Sequence, residues 1–212
     1  MPYIIIMKIT SLNYVLARDS AMGKTSFLDR YFKYFFEDDY WRTFEIDKEI
    51  KYIKVYDIIY KITLWDQPGQ RRFRNWAKRY YQIADGVLLL FDLTNKETFD
   101  SISSLIRDIK DDSNENFPIF YLIRNKFDLP NYEVSKEEAE KLAESFGIKY
   151  FEISCKYNIN INEVMSRMII ESILKKGING DLKYFLRKII SPSNEEIFNN
   201  FYNNILSKYK NY

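Results

Sequence analysis

A Gly-Lys-Thr triplet at residues 23–25 constrains the fold of this chain more than any other feature. It follows the apolar run 12–17, which is typical of a strand, and precedes residues 27–32, whose apolar spacing suits a helix. A strand, a polar loop and a Gly-Lys-Thr sequence that opens a helix form the setting of a phosphate-binding P-loop. In such a loop, backbone N–H groups surround an anion and the helix start adds a partial positive charge.

The side chains of this loop indicate how phosphate would be bound. Lys24 can neutralise the outer phosphates, and Thr25 can offer its hydroxyl to Mg²⁺. One position departs from the motif, because Arg18 stands where its first glycine is expected. An ordinary helix start therefore remains an alternative for this stretch alone. The candidate nucleotide contacts of the loop are Asp19, Ser20, Ala21, Met22, Gly23, Lys24, Thr25 and Ser26.

The composition restricts the class of protein. A chain of 212 residues, 46% hydrophobic and 29% charged, is typical of a soluble globular domain with a possible appendage. The net charge of +2 is too small to indicate a nucleic-acid or acidic membrane partner. The only cysteine, Cys155, excludes an intramolecular disulfide and fits a reducing, cytoplasmic compartment. Because histidine is absent, acid–base or metal chemistry has to use carboxylates, amides, hydroxyls or water.

The two ends of the sequence carry no familiar membrane signal. The apolar run 3–7 is too short for a signal peptide or a membrane span, and indicates an extra strand or a longer first strand. Pro2 replaces the glycine that myristoylation needs, and no cysteine is available for prenylation at the end, so we expect no encoded lipid anchor. In residues 177–212 we expect two packed helices, with partner docking or a weak interfacial membrane helix as alternatives.

Strands alternate with helices along the rest of the chain. The first helix is expected to run to about Phe36, and residues 48–56 and 59–65 indicate an antiparallel hairpin. The apolar run 86–92 indicates a strand covered on both faces. The elements that follow are helix 95–111, strand 118–124, a helix capped by Ser135 and ended by Gly147, strand 148–153 and helix 161–174. This alternation predicts an α/β fold with a mostly parallel, six-stranded sheet and helices on both faces.

A second candidate segment, residues 65–73, follows the hairpin. Asp66 ends a predicted strand and precedes a polar loop, as at sheet edges that present side chains to a ligand. Asp66 can hold Mg²⁺ through water, Gly69 can donate its N–H to a terminal phosphate, and Gln70 can orient a hydrolytic water. A solvent-exposed loop after a hairpin is the alternative for this stretch alone.

A third segment, Asn125-Lys126-x-Asp128, indicates base specificity. A carboxylate at the C-terminal end of a strand can accept two N–H bonds from the edge of guanine, and adenine cannot supply that pair. A site with such buried hydrogen bonds can reject the wrong base by roughly 10⁴ to 10⁵. An exposed turn is the alternative for four residues alone. The position after a buried strand, downstream of a phosphate loop, favours the base-binding interpretation.

Together the segments resemble a small GTPase of the Ras superfamily, closest to the Rab branch, over about residues 12–175. We accordingly expect residues 1–176 to form a small GTPase domain and residues 177–212 a helical C-terminal extension. Features typical of the Rab branch are Tyr80-Tyr81, Ala84-Asp85-Gly86 and Phe91-Asp92-Leu93-Thr94.

The resemblance implies a role for each matching residue. Lys24 would hold the β and γ phosphates, and Thr25 and Thr43 would ligate Mg²⁺. Phe36 would cover the guanine face, and Gln70 would position the attacking water. The base would be framed by Asn125, Lys126 and Asp128 and backed by Ser154, Cys155 and Lys156.

The resemblance also implies a function. Such proteins bind GTP or GDP with Mg²⁺, and loops around Thr43 (switch I) and Gly69 (switch II) close on the γ phosphate and relax when it is lost. Their intrinsic hydrolysis is slow, on the order of 10⁻⁴ s⁻¹, until an activating protein donates an arginine. We expect a monomeric cytoplasmic switch in membrane trafficking, read by effector, exchange-factor and activating proteins and peripheral to endomembranes through them.

Three positions in the nucleotide loops depart from the family pattern. Arg18 and Ala21 replace glycines and can crowd the backbone, which would weaken nucleotide binding or slightly reshape the loop. Pro68 replaces an alanine and would stiffen the start of switch II, which would alter hydrolysis or exchange. These positions support a second hypothesis, a catalytically impaired, nucleotide-locked interaction module. The retained Gln70 argues against that hypothesis, and Asp128 disfavours a third, a P-loop kinase or ATPase.

A fourth departure lies where the family places an effector-facing aromatic cluster. Lys48 replaces a phenylalanine of that cluster, whereas Trp65 and Tyr80 remain. We therefore expect partners different from ordinary Rab effectors, with a locally repacked surface as the alternative.

Overall fold

A computed structural model describes residues 8–17, 22–34, 47–55, 58–66, 74–113 and 117–176. These residues form six strands and six helices. In chain order they are β1 (Lys8–Ala17), α1 (Lys24–Lys33), β2 (Asp47–Val55), β3 (Ile58–Asp66), α2 (Arg74–Ile83), β4 (Gly86–Asp92), α3 (Lys96–Asp100), α4 (Ile102–Asp112), β5 (Ile119–Asn125), α5 (Lys136–Phe146), β6 (Lys149–Glu152) and α6 (Ile161–Lys175).

The strands form one six-stranded sheet in the order β2-β3-β1-β4-β5-β6. β2 and β3 are an antiparallel hairpin, and every other pairing in the sheet is parallel. The predicted α/β fold and the predicted hairpin are therefore confirmed. Because five strands run in the same direction, the loops that follow β1, β3, β4, β5 and β6 meet at one edge of the sheet.

Helices cover both faces of the sheet, as predicted. Along β1, Leu12, Tyr14 and Leu16 pack with α1 and α6, whereas Val15 and Ala17 pack with α2, α3, α4 and α5. This division follows from the alternation of side chains along a strand. All seven residues of β4 are buried, which confirms the prediction of a strand covered on both faces.

Two predicted helix bounds were wrong. α1 ends at Lys33, short of Phe36, because Tyr34 takes a left-handed conformation with φ of 56°. The predicted helix 95–111 is divided at Ser101 into α3 and α4. The Ser101 hydroxyl donates to the carbonyls of Glu97 and Thr98, at 2.9 Å and 3.3 Å. Such side-chain bonds compete with the regular helical pattern.

The predicted limits of α5 are confirmed. Ser135 and Glu138 form a capping box, and Gly147 ends the helix with φ of 65°. The strand expected at residues 3–7 and the helices expected in residues 177–212 lie outside the described residues. In the ranges given above, no helix combines the length and apolar character needed to cross a membrane.

Candidate nucleotide-binding site

The loop before α1 closely approaches the end of β5. Gly23 caps α1 in the left-handed region, with φ of 83°. A Cβ added to Gly23 would lie 2.3 Å from Asn125 Nδ2. That amide nitrogen donates a hydrogen bond of 2.8 Å to the carbonyl of Met22. Gly23 therefore meets two requirements at once, a positive φ and the absence of a side chain.

The first turn of α1 concentrates positive charge. Lys24 is the first residue of the helix, and only 6% of its surface is exposed. The helix start adds a partial positive charge of its own. An anion at this position would interact favourably with both charges, and Ser26 lies in the same turn.

Thr25 and Asp66 bring two oxygen ligands together. The Thr25 hydroxyl donates a hydrogen bond of 2.6 Å to Asp66 Oδ2. Asp66 is the last residue of β3 and pairs in register with Leu16, one residue before the end of β1. Mg²⁺ favours hydroxyl and carboxylate oxygens, bound directly or through water. The chemistry of this pair therefore fits the predicted metal.

Lys126 is anchored between the ends of β4 and β5. It has φ of 65°, and its ammonium group pairs with Asp92 Oδ2. The other oxygen of Asp92 accepts hydrogen bonds from the backbone N–H and the hydroxyl of Thr94, at 2.9 Å and 2.7 Å. The backbone N–H of Leu93 donates to the Asn125 carbonyl at 3.3 Å. The predicted base-binding loop is thus held by two neighbouring strand ends.

The protein orients the carboxylate of Asp128. The Ser154 hydroxyl donates a hydrogen bond of 2.6 Å to Asp128 Oδ1 and accepts one of 3.1 Å from the Tyr157 N–H. The Phe127 N–H donates to the Ile153 carbonyl at 3.2 Å, which ties this loop to the end of β6. The two predicted base-binding segments therefore contact each other directly.

Cys155 is a neutral side chain that packs beside Gly23. Its thiol sulfur lies 3.8 Å from the Gly23 carbonyl oxygen. Burial raises the pKa of the Cys155 thiol to about 12, and the hydrogen bond from Asn125 opposes part of that rise. The thiol is consequently protonated at neutral pH, where it fills space between the phosphate loop and the base loop.

The structure brings together the predicted site residues that it describes. Direct contacts join Met22 and Gly23 to Asn125, Thr25 to Asp66, and Asp128 to Ser154. Lys156 follows Cys155 and is exposed. The residues that lie outside the described ranges are Arg18, Asp19, Ser20, Ala21, Phe36, Thr43, Pro68, Gly69 and Gln70.

Arg124 is a charged residue beside the site that the sequence analysis missed. Its side chain, 3% exposed, pairs with Glu152 at 2.6 Å and donates to the Val134 carbonyl at 3.1 Å. The guanidinium carbon also lies 4.6 Å from the centre of the Tyr132 ring. Arg124 therefore joins β5, β6 and the loop after Asn125. An arginine inside an apolar strand sequence was the available signal, because a buried charge needs partners.

Arg30 is a second residue whose contact with the site was not predicted from the sequence. From α1 it donates to the carbonyls of Cys155 and Lys156, at 2.9 Å and 2.8 Å. No local signal could have identified this role, because the partners lie 125 and 126 positions along the chain.

Lys48 changes the aromatic cluster formed by Trp65 and Tyr80. Trp65 and Tyr80 pack with ring centres 4.7 Å apart. The Lys48 ammonium lies 5.1 Å from the centre of the Trp65 ring, within the range of a cation–π interaction. The cluster therefore keeps two aromatic rings and gains a positive charge.

Comparison with known proteins identifies one protein family. A model of the Ras family matches residues 13–175. Ras-related protein Rab-8 from Diplobatis ommata is 34% identical, over 84% of this chain and 86% of its own length. Ras-related protein Rab-13 from Bos taurus is 33% identical, over 77% of this chain and 80% of its own. GTP-binding protein Rab-3D from Rattus norvegicus is 36% identical, over 73% of this chain and 71% of its own.

The parallel sheet, the glycine-capped α1 and the loops at the sheet edge define a P-loop α/β domain of the small G type. The chain belongs to the Ras family, and within it is a Rab-like small GTPase.

Proposed function

We propose that this chain binds GTP and GDP together with Mg²⁺ and acts as a switch in membrane trafficking. The observation that carries the proposal is the contact of Asn125 with Met22 and Gly23, which joins a predicted phosphate loop to a predicted base loop. A nucleotide is a ligand that can occupy both loops at once. Within the described residues, Asn125 Oδ1 is buried without a hydrogen-bond partner, as expected where a ligand completes the bonding.

At the phosphate end, we assign the contacts to residues 19–26. Lys24 neutralises the β and γ phosphates, Thr25 and Thr43 ligate Mg²⁺, and Asp66 acts through water. Mg²⁺, when bound, neutralises charge that develops on the phosphate oxygens during hydrolysis. Gly69 donates its N–H to the terminal phosphate, and Gln70 positions the attacking water.

At the base end, Asp128 accepts the two N–H groups of the guanine edge, and Ser154 keeps the carboxylate in place. Phe36 covers one face of the base. Asn125 and Lys126 hold the loop in shape through Met22 and Asp92. The main-chain segment 154–156 backs the base from the other side.

The output of the switch is partner binding. Effector, exchange-factor and activating proteins would contact switch I and switch II, around Thr43 and Gly69. Lys48 gives the adjoining Trp65 and Tyr80 cluster a positive charge, so a partner with a carboxylate at this point is favoured over an entirely apolar one. We propose a monomer that acts in the cytoplasm and reaches endomembranes through such partners.

Two finer proposals concern the domains and the reaction rate. Residues 1–176 would form the GTPase domain and residues 177–212 a helical extension. Deleting residues 178–212 should lower the melting temperature only if the extension packs on the domain. A nucleotide-locked, catalytically impaired protein is the second candidate, and Arg18, Ala21 and Pro68 favour it. Single-turnover hydrolysis by the wild type and Pro68→Ala tests it, since equal rates would exclude a role for Pro68.

Exchange of the base specificity tests the proposed site. Asparagine at position 128 presents an N–H donor to the purine edge in place of one carboxylate acceptor, which suits the C2 carbonyl of xanthine better than the amino group of guanine. We expect Asp128→Asn to weaken GDP binding at least roughly 100-fold and to bind xanthosine diphosphate more tightly than GDP. Asp100→Asn, at an exposed position on α3, is the matched control. Unchanged GDP affinity in Asp128→Asn would contradict the assignment.

A further inference from the structure

We propose that Arg30 is a positioning residue for guanine recognition. From α1 it holds the main chain of Cys155 and Lys156, and thereby the carboxylate of Asp128 that would bind the base. The inference rests on the proposed guanine-nucleotide site and assigns it a residue outside the motifs.

The geometry is that of a planar group bound to two adjacent carbonyls. Arg30 Nε donates to the Cys155 oxygen at 2.9 Å, and Nη2 donates to the Lys156 oxygen at 2.8 Å. These two nitrogens form one edge of the guanidinium group, so consecutive peptide groups are fixed by a single side chain. A lysine ammonium cannot reproduce this fixed fork.

The same guanidinium group secures the end of α1. Its Nη1 donates to the carbonyl of Tyr34 at 3.2 Å. Tyr34 is the left-handed residue that ends the helix. Arg30 therefore links the end of α1 to the loop after β6, while Lys24 and Thr25 begin the same helix at the proposed phosphate end. One rigid element thus supports both ends of the proposed nucleotide.

The loop transmits this restraint to Asp128. Ser154, which precedes the two anchored carbonyls, donates the 2.6 Å hydrogen bond to Asp128 Oδ1. Tyr157, which follows them, donates its N–H to the Ser154 hydroxyl. A shift of the Cys155 and Lys156 main chain would therefore move Ser154 and release one oxygen of Asp128. The loop has a second attachment to the phosphate side at Cys155 Sγ and the Gly23 carbonyl, but at 3.8 Å it is weak.

The test compares GDP with inosine diphosphate, which lacks the exocyclic amino group and so one of the two proposed donors to Asp128. The variants are Arg30→Met, which has no donor, and Arg30→Gln, whose shorter, uncharged amide lacks the two-nitrogen edge of the guanidinium group. Arg107→Met is the control, because Arg107 is exposed on α4 and donates to the Ser103 carbonyl of its own helix. Dissociation constants of both nucleotides are measured for each protein, together with amide exchange at Tyr157.

For the wild type and Arg107→Met we expect GDP to bind more tightly than inosine diphosphate. For both Arg30 variants we expect GDP affinity to fall roughly tenfold and the preference over inosine diphosphate to fall at least about threefold, because charge-assisted hydrogen bonds are lost. The Tyr157 amide should exchange faster. If one variant does not fold, the other carries the test.

Failure of the Arg30 role and failure of the proposed function would give different results. An unchanged ratio of the two affinities in an Arg30 variant would overturn the positioning role, even if the variant were less stable. If the wild type bound ADP as tightly as GDP, the proposed function would fail first, and this inference with it.

Discussion

Asn125 and Met22 are 103 positions apart in sequence, yet the Asn125 side-chain amide donates a hydrogen bond of 2.8 Å to the Met22 carbonyl. This hydrogen bond connects the end of β5 to the loop before α1. The loop proposed to bind the base is therefore fixed directly to the loop proposed to bind the phosphates. Substituting either residue should therefore weaken the binding of both the base and the phosphates.

Gly23→Ala should strongly weaken nucleotide binding for a local steric reason. Its Cβ would lie 2.3 Å from Asn125 Nδ2, and φ of 83° is unfavourable for alanine. We expect GDP affinity to fall at least roughly 100-fold, measured by calorimetry.

Gly147→Ala is the matched control for that substitution. Gly147 also has a positive φ, of 65°, but among the described residues nothing beyond its own neighbours along the chain lies within 4 Å of the added Cβ. It should lose about 1 kcal/mol of folding free energy and keep its nucleotide affinity. Equal GDP affinities in Gly23→Ala and Gly147→Ala would argue against the close approach of the two loops.

Asn125→Ala should accelerate nucleotide release. It removes the hydrogen bond to the Met22 carbonyl and leaves that carbonyl without this partner, at a cost of about 1–3 kcal/mol. Release of a fluorescent GDP analogue should become roughly tenfold faster or more. Asn131→Ala, an exposed substitution in the same loop, should release the analogue at the wild-type rate. The same rate in both variants would contradict the coupling.

Arg124 and Glu152 should show strong energetic coupling. Their ion pair is 2.6 Å long, and the side chains are only 3% and 21% exposed. Arg124→Met leaves the partly buried carboxylate of Glu152 without its counter-ion and should lower the free energy of unfolding by roughly 3 kcal/mol.

The double variant Arg124→Met, Glu152→Met should lose less than the sum of the two single losses. Urea denaturation of the four proteins measures this difference. Additive losses would show that the ion pair contributes no specific interaction.

Cys155 should make the fold sensitive to alkali. Burial raises the pKa of its thiol from 9.0 to about 12, so the folded state holds this proton more tightly than the unfolded chain. The stabilisation is fully present below pH 9 and is lost as the pH rises above it. Buried tyrosines such as Tyr14, whose pKa burial also raises, act in the same direction.

Cys155→Ala isolates the contribution of the thiol. Between pH 9 and pH 11 the wild type should lose up to about 1.4 kcal/mol more per pH unit than the variant. Urea denaturation at several pH values gives the two slopes. Parallel slopes would show that the thiol is not protonated preferentially in the folded state.

Much of the fold could be predicted because local patterns determined it. The uniform apolar run of β4 and the capping box at Ser135 each pointed to the structure observed. The limits of α1 could not be predicted, because they depend on the conformation of Tyr34 next to the Arg30 guanidinium. The break at Ser101 depends on a competition between hydroxyl and backbone hydrogen bonds that propensities do not resolve.

The residues of the candidate site also differ in how far they could be predicted. Motif residues such as Gly23 and Asp128 could be proposed from the sequence, since their chemistry depends on residue type and on position next to a strand. The partners of the supporting residues Arg30 and Arg124 were not predictable, because the parallel sheet and the packing of α1 beside α6 bring them close. Long-range contacts of this kind leave no periodic pattern in the sequence.

The central claim is that a guanine nucleotide binds across the phosphate loop and the base loop. Calorimetric titration of the nucleotide-free protein with GDP and with ADP, both with Mg²⁺, tests it most directly. We predict that GDP binds at least roughly 10³-fold more tightly than ADP, because Asp128 finds its two donors only on guanine. Equal affinities for the two nucleotides, or no binding of either, would contradict the account.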